Sequence, residues 1–188
     1  LVPEKVIIPK LQNKQFLEDD LIAGGIYVTL YMPKQEFHKI ETPKNHRKFF
    51  IMRDLRDTLI SYYFSMKYSH GLISDFVKNM RDKLNSLPKE DGLIHLFKEA
   101  NVINAIAMIQ KSWLESDIKI YKYEDMILDQ ENYLYELADL CELNLGNVQI
   151  KEAIEKSSFM SKSKGRDIGT EDIYSHTRKG TPGDWENH

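Results

Sequence analysis

Cysteine is nearly missing from this 188-residue chain. Cys141 is the one thiol, so no intramolecular disulfide can form, no thiolate cluster can hold a metal, and nothing points to an oxidising compartment. No run approaches the roughly 18 consecutive apolar residues of a membrane-spanning helix. The stretch from Leu1 to Lys14 mixes charge and proline and has no signal-peptide pattern. The six histidines show neither H-E-x-x-H nor a short metal spacing, so a zinc site is not expected. There is no G-x-x-x-x-G-K-[ST] loop, no G-x-G-x-x-G fingerprint and no G-x-S-x-G elbow. No internal repeat or linker divides the chain. The net charge of -3 argues against bulk nucleic-acid affinity.

What is present is the ordinary composition of one soluble domain: 41% hydrophobic and 29% charged residues, enough chain to bury a core. The expected location is cytoplasmic. The charge is uneven. From Lys156 to Gly180 there are six basic residues against three acidic ones, locally +3. That stretch is either a solvated tail or a loop over a small anion.

Hydrophobic periodicity alternates between strands and helices. Ile26–Tyr31 reads as a strand, and Lys34–Arg47 as polar connection containing Pro43. Lys48–Met52 is a near-continuous apolar run suited to a parallel strand covered on both faces. Asp54 is placed to cap the helix that follows, with Asp57 three residues on. Leu55, Leu59, Ile60, Tyr63, Phe64 and Met66 form its apolar face, and Gly71 closes the unit. Leu72–Leu84 is a further helix, with Pro88 and Gly92 as breaks. Leu93–Glu115 is the longest helical stripe, in which Trp113 reads as core. Ile118–Tyr123 alternates as a strand. Helices are expected over Glu131–Leu143 and Val148–Ser158, and nothing regular after Phe159. This pattern predicts an α/β layer fold with a mainly parallel central sheet flanked by helices.

Two places carry anion chemistry. Arg53 follows a strand and precedes a helix cap. It reads either as an ion-pair partner of Asp54 or Asp57 or as a phosphate ligand, since a guanidinium offers a rigid fork of donors. Ser61 lies two turns on, about 12 Å away along the helix axis. Alone it is a neutral helix-surface serine; with Arg53 it could complete one anion site. Arg178-Lys179-Gly180 joins two cations to a residue free to turn its backbone N–H toward an oxygen. Pro182-Gly183 is a turn, in which Asp184 can hydrogen-bond.

Together these residues resemble the sulfotransferases that use 3'-phosphoadenosine 5'-phosphosulfate, of the cytosolic type and its bacterial relatives. The stretch from Phe50 to Tyr63, FIMRDLRDTLISYY, resembles that family's 3'-phosphate segment. The end from Arg178 to His188, RKGTPGDWENH, resembles its R-K-G-x-x-G-D-W-x-N-H signature. Tyr123-Glu124-Asp125 and Ser157-Ser158-Phe159 resemble the pieces between. The resemblance implies a single sulfotransferase-like domain over residues 1–188, with the P-loop-nucleotide-hydrolase-like fold of that family. It implies that Arg53 and Ser61 hold the 3'-phosphate, that Arg178, Lys179 and Gly180 close over it, and that Tyr123, Ser157 and Phe159 border the adenine. Asp57 and Asp184 would be structural. The donor would be 3'-phosphoadenosine 5'-phosphosulfate and the product adenosine 3',5'-bisphosphate. The sulfuryl group would pass by in-line attack to a hydroxyl, or an amine, of a small-molecule acceptor, with no metal required.

The resemblance fails in two places. The family's 5'-phosphosulfate loop, P-K-S-G-T-T-W or similar, has no counterpart, because Pro9-Lys10 and Pro33-Lys34 lack the Ser-Gly-Thr that follows. The expectation is a chain truncated at its N-terminus; the family also runs on past the Asp-Trp-x-Asn-His end, which leaves truncation at the C-terminus open. The second departure is the general base: threonine at position 29 stands where a histidine is expected, so no catalytic residue is assigned. Neither the acceptor nor the oligomeric state is legible. Two other readings stand beside the enzyme: a non-catalytic relative binding a 3'-phosphorylated adenosine nucleotide or a protein partner, and a small-molecule kinase or nucleotide hydrolase. The last lacks the Gly-rich loop and magnesium carboxylate it needs.

Overall fold

The computed structural model describes residues 5–7, 11–12, 15–16, 21, 23–28 and 30–188. Strand β1 (Lys5–Ile7) pairs parallel with β4 (Gly25–Tyr27), and β2 (Leu11–Gln12) pairs antiparallel with β3 (Gln15–Phe16). Strand β5 (Phe49–Met52) pairs parallel with β6 (Lys119–Lys122), with Met52 opposite Lys122. The described residues thus form three two-stranded ladders, two of them parallel. Tyr27 ends the strand that the sequence extends to Tyr31, and Thr29 lies outside the described residues.

A parallel pair needs a long crossover. Between β5 and β6 it consists of α2 (Leu55–Phe64), a π-helical turn (Ser65–Ser69), α3 (Asp75–Asn85), α4 (Lys89–Lys98) and α5 (Val102–Leu114). Before it lies α1 (Lys34–Phe37), where a polar connection is expected. Phe37 explains that helix: it is buried and meets Trp113 edge to face at 5.6 Å. Trp113 is core, as its apolar periodicity predicts, and its indole N–H donates to the Met32 carbonyl at 3.0 Å. Phe50 of β5 stacks on it at 5.8 Å.

The larger core joins Tyr63 and Met66 to Val77, Met80, Leu84 and Leu96, uniting α2, the π turn, α3 and α4. It accounts for three differences from the sequence pattern. The apolar stripe of 93–115 is two helices with a 49° bend between them. Leu96 serves this core and Trp113 the other, and Asn101, a residue that tolerates left-handed backbone, takes φ 55 at the break. Pro88 stands in the break between α3 and α4 as expected, but Gly92 does not break the chain. Pro88 is the N-cap of α4, and Gly92 is buried inside that helix. There a Cβ would lie 2.9 Å from the Tyr63 ring, so the glycine lets α4 approach α2. The α2 helix gives way to the π turn before Met66, and Arg81 of α3 donates to the carbonyls of Met66 (3.0 Å) and His70.

After β6, Tyr123 opens α6 (Tyr123–Leu128) instead of ending a strand. Helices α7 (Gln130–Leu140), α8 (Asn147–Ser157) and α9 (Phe159–Lys162) follow, the last in a stretch where nothing regular is expected. The chain ends in a 3-10 turn, Asp184–Asn187. No single helix among the described residues is long and apolar enough to cross a membrane.

Candidate functional site: a strand–helix corner and the tail laid against it

Where β5 passes into α2, the backbone leaves a helix N-terminus whose first N–H groups need acceptors. Asp54 provides one, taking the Arg56 N–H at 2.7 Å as the sequence predicts. The Arg56 guanidinium folds back onto the same carboxylate, and this hydrogen bond holds the Asp54 carboxyl below its usual range. Asp57 is 2% exposed and accepts the backbone N–H groups of Gly183 at 2.6 Å and Trp185 at 3.0 Å. Both carboxylates that could have neutralised Arg53 are therefore engaged elsewhere.

Arg53 is free of any carboxylate among the described residues. Its guanidinium carbon sits 4.9 Å from the centre of the Tyr123 ring, and its Nε–H is buried without an acceptor. An unpaired buried donor is costly and uncommon. Its backbone is held on both sides. Gln110 Nε2 donates to the Arg53 carbonyl at 2.9 Å, and the Asp54 N–H donates to Glu124 at 2.9 Å. The second bond fastens the start of α6 to the start of α2, which brings Tyr123 beneath Arg53 although 70 residues separate them in the chain.

The tail runs back along α2. The Arg56 guanidinium lies 3.8 Å from the Trp185 ring centre near the start of the helix. Near its end, Arg178 lies 4.3 Å from the centre of Phe64. Phe64 is three residues beyond Ser61, on neighbouring helix surface, so Arg178 comes to the part of α2 that carries Ser61. The Ser61 hydroxyl makes no hydrogen bond among the described residues. Asp184, 4% exposed, takes hydrogen bonds from Arg178, Lys179 and Asn187. Burial raises its pKa, but the Lys179 and Arg178 bonds outweigh this and hold the carboxyl well below the usual range. Glu171 takes the other arm of Arg178. Gly180 has φ +74, and a Cβ there would lie 2.3 Å from the Phe159 ring. The glycine is required both by backbone conformation and by the ring pressed against it.

Several residues singled out in the sequence are thus neighbours: Arg53 with Tyr123, Phe159 with Gly180, and Arg178 with Lys179 through Asp184. No hydrogen bond, ion pair or ring contact joins the first pair directly to Arg178–Gly180; α2 links them. Ser157 stands apart. It is exposed, and its hydroxyl donates to its own helix at the Ala153 carbonyl, 2.7 Å away. Residues with no signal of their own in the sequence also build the site. Glu124 was legible only as part of Tyr-Glu-Asp, Gln110 as one member of a helical stripe, and Arg166 as one charge in a basic stretch.

Glu171, Asp184 and His188 bring one ligand atom each within 4.8 Å of one another. Arg178 and Lys179 already occupy these carboxylates, and a metal ion there would sit against two fixed cations.

A parallel strand pair with an unsatisfied arginine at its helix-side corner, and a cationic glycine turn laid along the same helix, define the site of this α/β protein. The match of residues 32–188 to the family described as "Sulfotransferase domain" fixes the class, and the chain belongs to that family. Among solved structures the fold resembles mouse sulfotransferase SULT7A1 complexed with PAP, with a TM-score of 0.60 at 19% identity. The match covers 87% of this chain and 60% of that one, so the chain spans about 60% of that relative's length. A search of curated proteins gave no match.

Proposed function

We propose that this chain binds 3'-phosphoadenosine 5'-phosphosulfate and its product adenosine 3',5'-bisphosphate, as the nucleotide-holding part of a cytoplasmic sulfotransferase with a P-loop-like, mainly parallel central sheet. When bound, the donor supplies the sulfuryl group that a hydroxyl or amine of a small-molecule acceptor receives by in-line attack. The observation that carries this reading is the Arg53 Nε–H, buried and lacking an acceptor, beside a Tyr123 ring that holds the guanidinium from one side. A phosphate oxygen satisfies such a donor, and a charge-assisted bond there is stronger than a neutral one. The residues therefore fit the group.

In this reading Arg53 and Ser61 hold the 3'-phosphate. Arg178, Lys179 and Gly180 close over the same phosphate, with the two cations exchanging part of their pairing to Glu171 and Asp184 for the ligand. Tyr123 and Phe159 flank the adenine. Ser157 joins them through its backbone, or by releasing the Ala153 carbonyl. Support comes from family membership and from the solved relative being complexed with PAP.

The test is calorimetric titration of the chain with adenosine 3',5'-bisphosphate in EDTA, and with ATP in magnesium. The bisphosphate should bind more tightly, and Arg53→Ala should weaken it by about 10- to 100-fold, the effect of losing a charge-assisted pair. Stronger magnesium-dependent ATP binding, or an Arg53→Ala variant of unchanged affinity, would refute the proposal.

A further inference from the structure

We infer that Arg166 is a positioning residue: its one side chain sets the backbone of the Arg178–Gly180 turn and the Phe159 ring together, so that the turn over the phosphate and the ring beside the adenine are both placed by a group that touches no ligand. The inference rests on the nucleotide-binding reading above. It starts from a tight reversal in which Lys164 and Gly165 both take left-handed backbone, φ 62 and 97. The Arg166 N–H then donates to the buried Ser163 hydroxyl at 3.1 Å. This aims the half-buried guanidinium inward.

There it donates to three carbonyls. Nη1 reaches Thr170 and Arg178, each at 2.8 Å, and Nη2 reaches Thr177. The guanidinium carbon also lies 5.3 Å from the centre of the Phe159 ring, the ring that meets Gly180. Two backbone bonds reinforce the arrangement, from Gly169 N–H to the Lys179 carbonyl at 2.9 Å and from Asp172 N–H to the Arg178 carbonyl at 3.0 Å. A planar fork with fixed donors suits this task, and an ammonium does not. Arg166 spreads its donors over two nitrogens of a rigid plane, whereas the three donors of a lysine radiate from one freely turning nitrogen and do not fix the three carbonyls in the same way. A shift of the turn at Arg178 would move both cations and the Gly180 N–H, and small misplacements of ligand-holding groups carry large effects.

The experiment compares the affinities of the full chain for adenosine 3',5'-bisphosphate and adenosine 5'-monophosphate, measured by calorimetry. The ratio of the two reports the 3'-phosphate contact and cancels any general loss of folded protein. In Arg166→Lys the preference for the bisphosphate should fall about tenfold, equivalent to one charge-assisted hydrogen bond, with a smaller loss for the monophosphate. An unchanged preference in folded Arg166→Lys overturns the inference while leaving the nucleotide reading intact. A wild-type chain without the preference removes the nucleotide reading itself, and this inference with it. A second measurement needs no variant. Hydrogen exchange at the Asp172 amide of the wild-type chain should slow when the bisphosphate binds, because this amide shares the Arg178 carbonyl that Arg166 holds. Exchange unchanged at saturating bisphosphate overturns the inference.

Discussion

Replacing Asp57 tests whether the tail is held to α2 by one buried carboxylate. In Asp57→Ala the backbone N–H groups of Gly183 and Trp185, 126 and 128 residues away in sequence, lose their acceptor. A hydrogen bond to a charged group contributes about 1.5–3 kcal/mol, so two broken together cost about 3–6 kcal/mol. Two effects reduce that figure. Gly183 and Trp185 are half-buried, so water can reach part of what is freed, and the desolvation of the carboxylate disappears with it. A net loss of about 3 kcal/mol is expected, or a fall in melting temperature of roughly 6–12 °C for a chain of this length. In Asp57→Asn one oxygen still accepts, but an amide NH2 faces the second N–H, and a loss of about 2 kcal/mol is expected. Urea unfolding followed by far-ultraviolet circular dichroism measures both. If neither variant moves the unfolding free energy by more than about 0.5 kcal/mol, the range of ordinary surface changes, the tail is not held by this carboxylate.

Three further outcomes follow from the same packing. Gly92→Ala should destabilise the fold by about 1 kcal/mol despite alanine's better helix propensity, because the added methyl meets the buried Tyr63 ring at 2.9 Å; urea midpoints decide it, and a stabilised variant would contradict the close approach of α4 to α2. Glu171→Gln should tighten adenosine 3',5'-bisphosphate binding several-fold, in the range of a partly exposed ion pair, because the carboxylate that competes for Arg178 is gone; weaker binding in calorimetry would show that Glu171 helps to place Arg178. Asp184→Asn should cost stability at neutral pH but progressively less in acid. Its carboxyl is held below the usual range in the folded chain, so the stabilisation it provides is complete above about pH 4, its unfolded value, and falls away as pH drops toward the folded value. Parallel unfolding curves for wild type and variant across acid pH would contradict this.

Local chemistry was legible where it depends on neighbours in sequence. The Asp54 cap, the apolar face of α2, the strand into Arg53 and the glycine of the Arg178–Gly180 turn could all be read from spacing. The conflicts arose where distant chain decides. The stripe of 93–115 is periodic throughout, yet it bends because Leu96 and Trp113 serve different cores. Gly92 looks like a breaker until Tyr63 lies across it. Phe37 gives no helix signal, and α1 forms because Trp113 is there to cover it.

By itself the sequence determined that an arginine follows a strand and precedes a capped helix, and that two cations and a glycine form a turn at 178–180, because caps, turns and apolar periodicity are short-range properties. Only the tertiary structure decided which arginine is left unpaired. Asp54 goes to Arg56 and Asp57 goes to backbone N–H groups more than a hundred residues away, so Arg53 is left over Tyr123 with a buried donor and no acceptor. Pairing among charges is settled by which groups the fold brings within bonding distance, and sequence neighbours alone do not specify that.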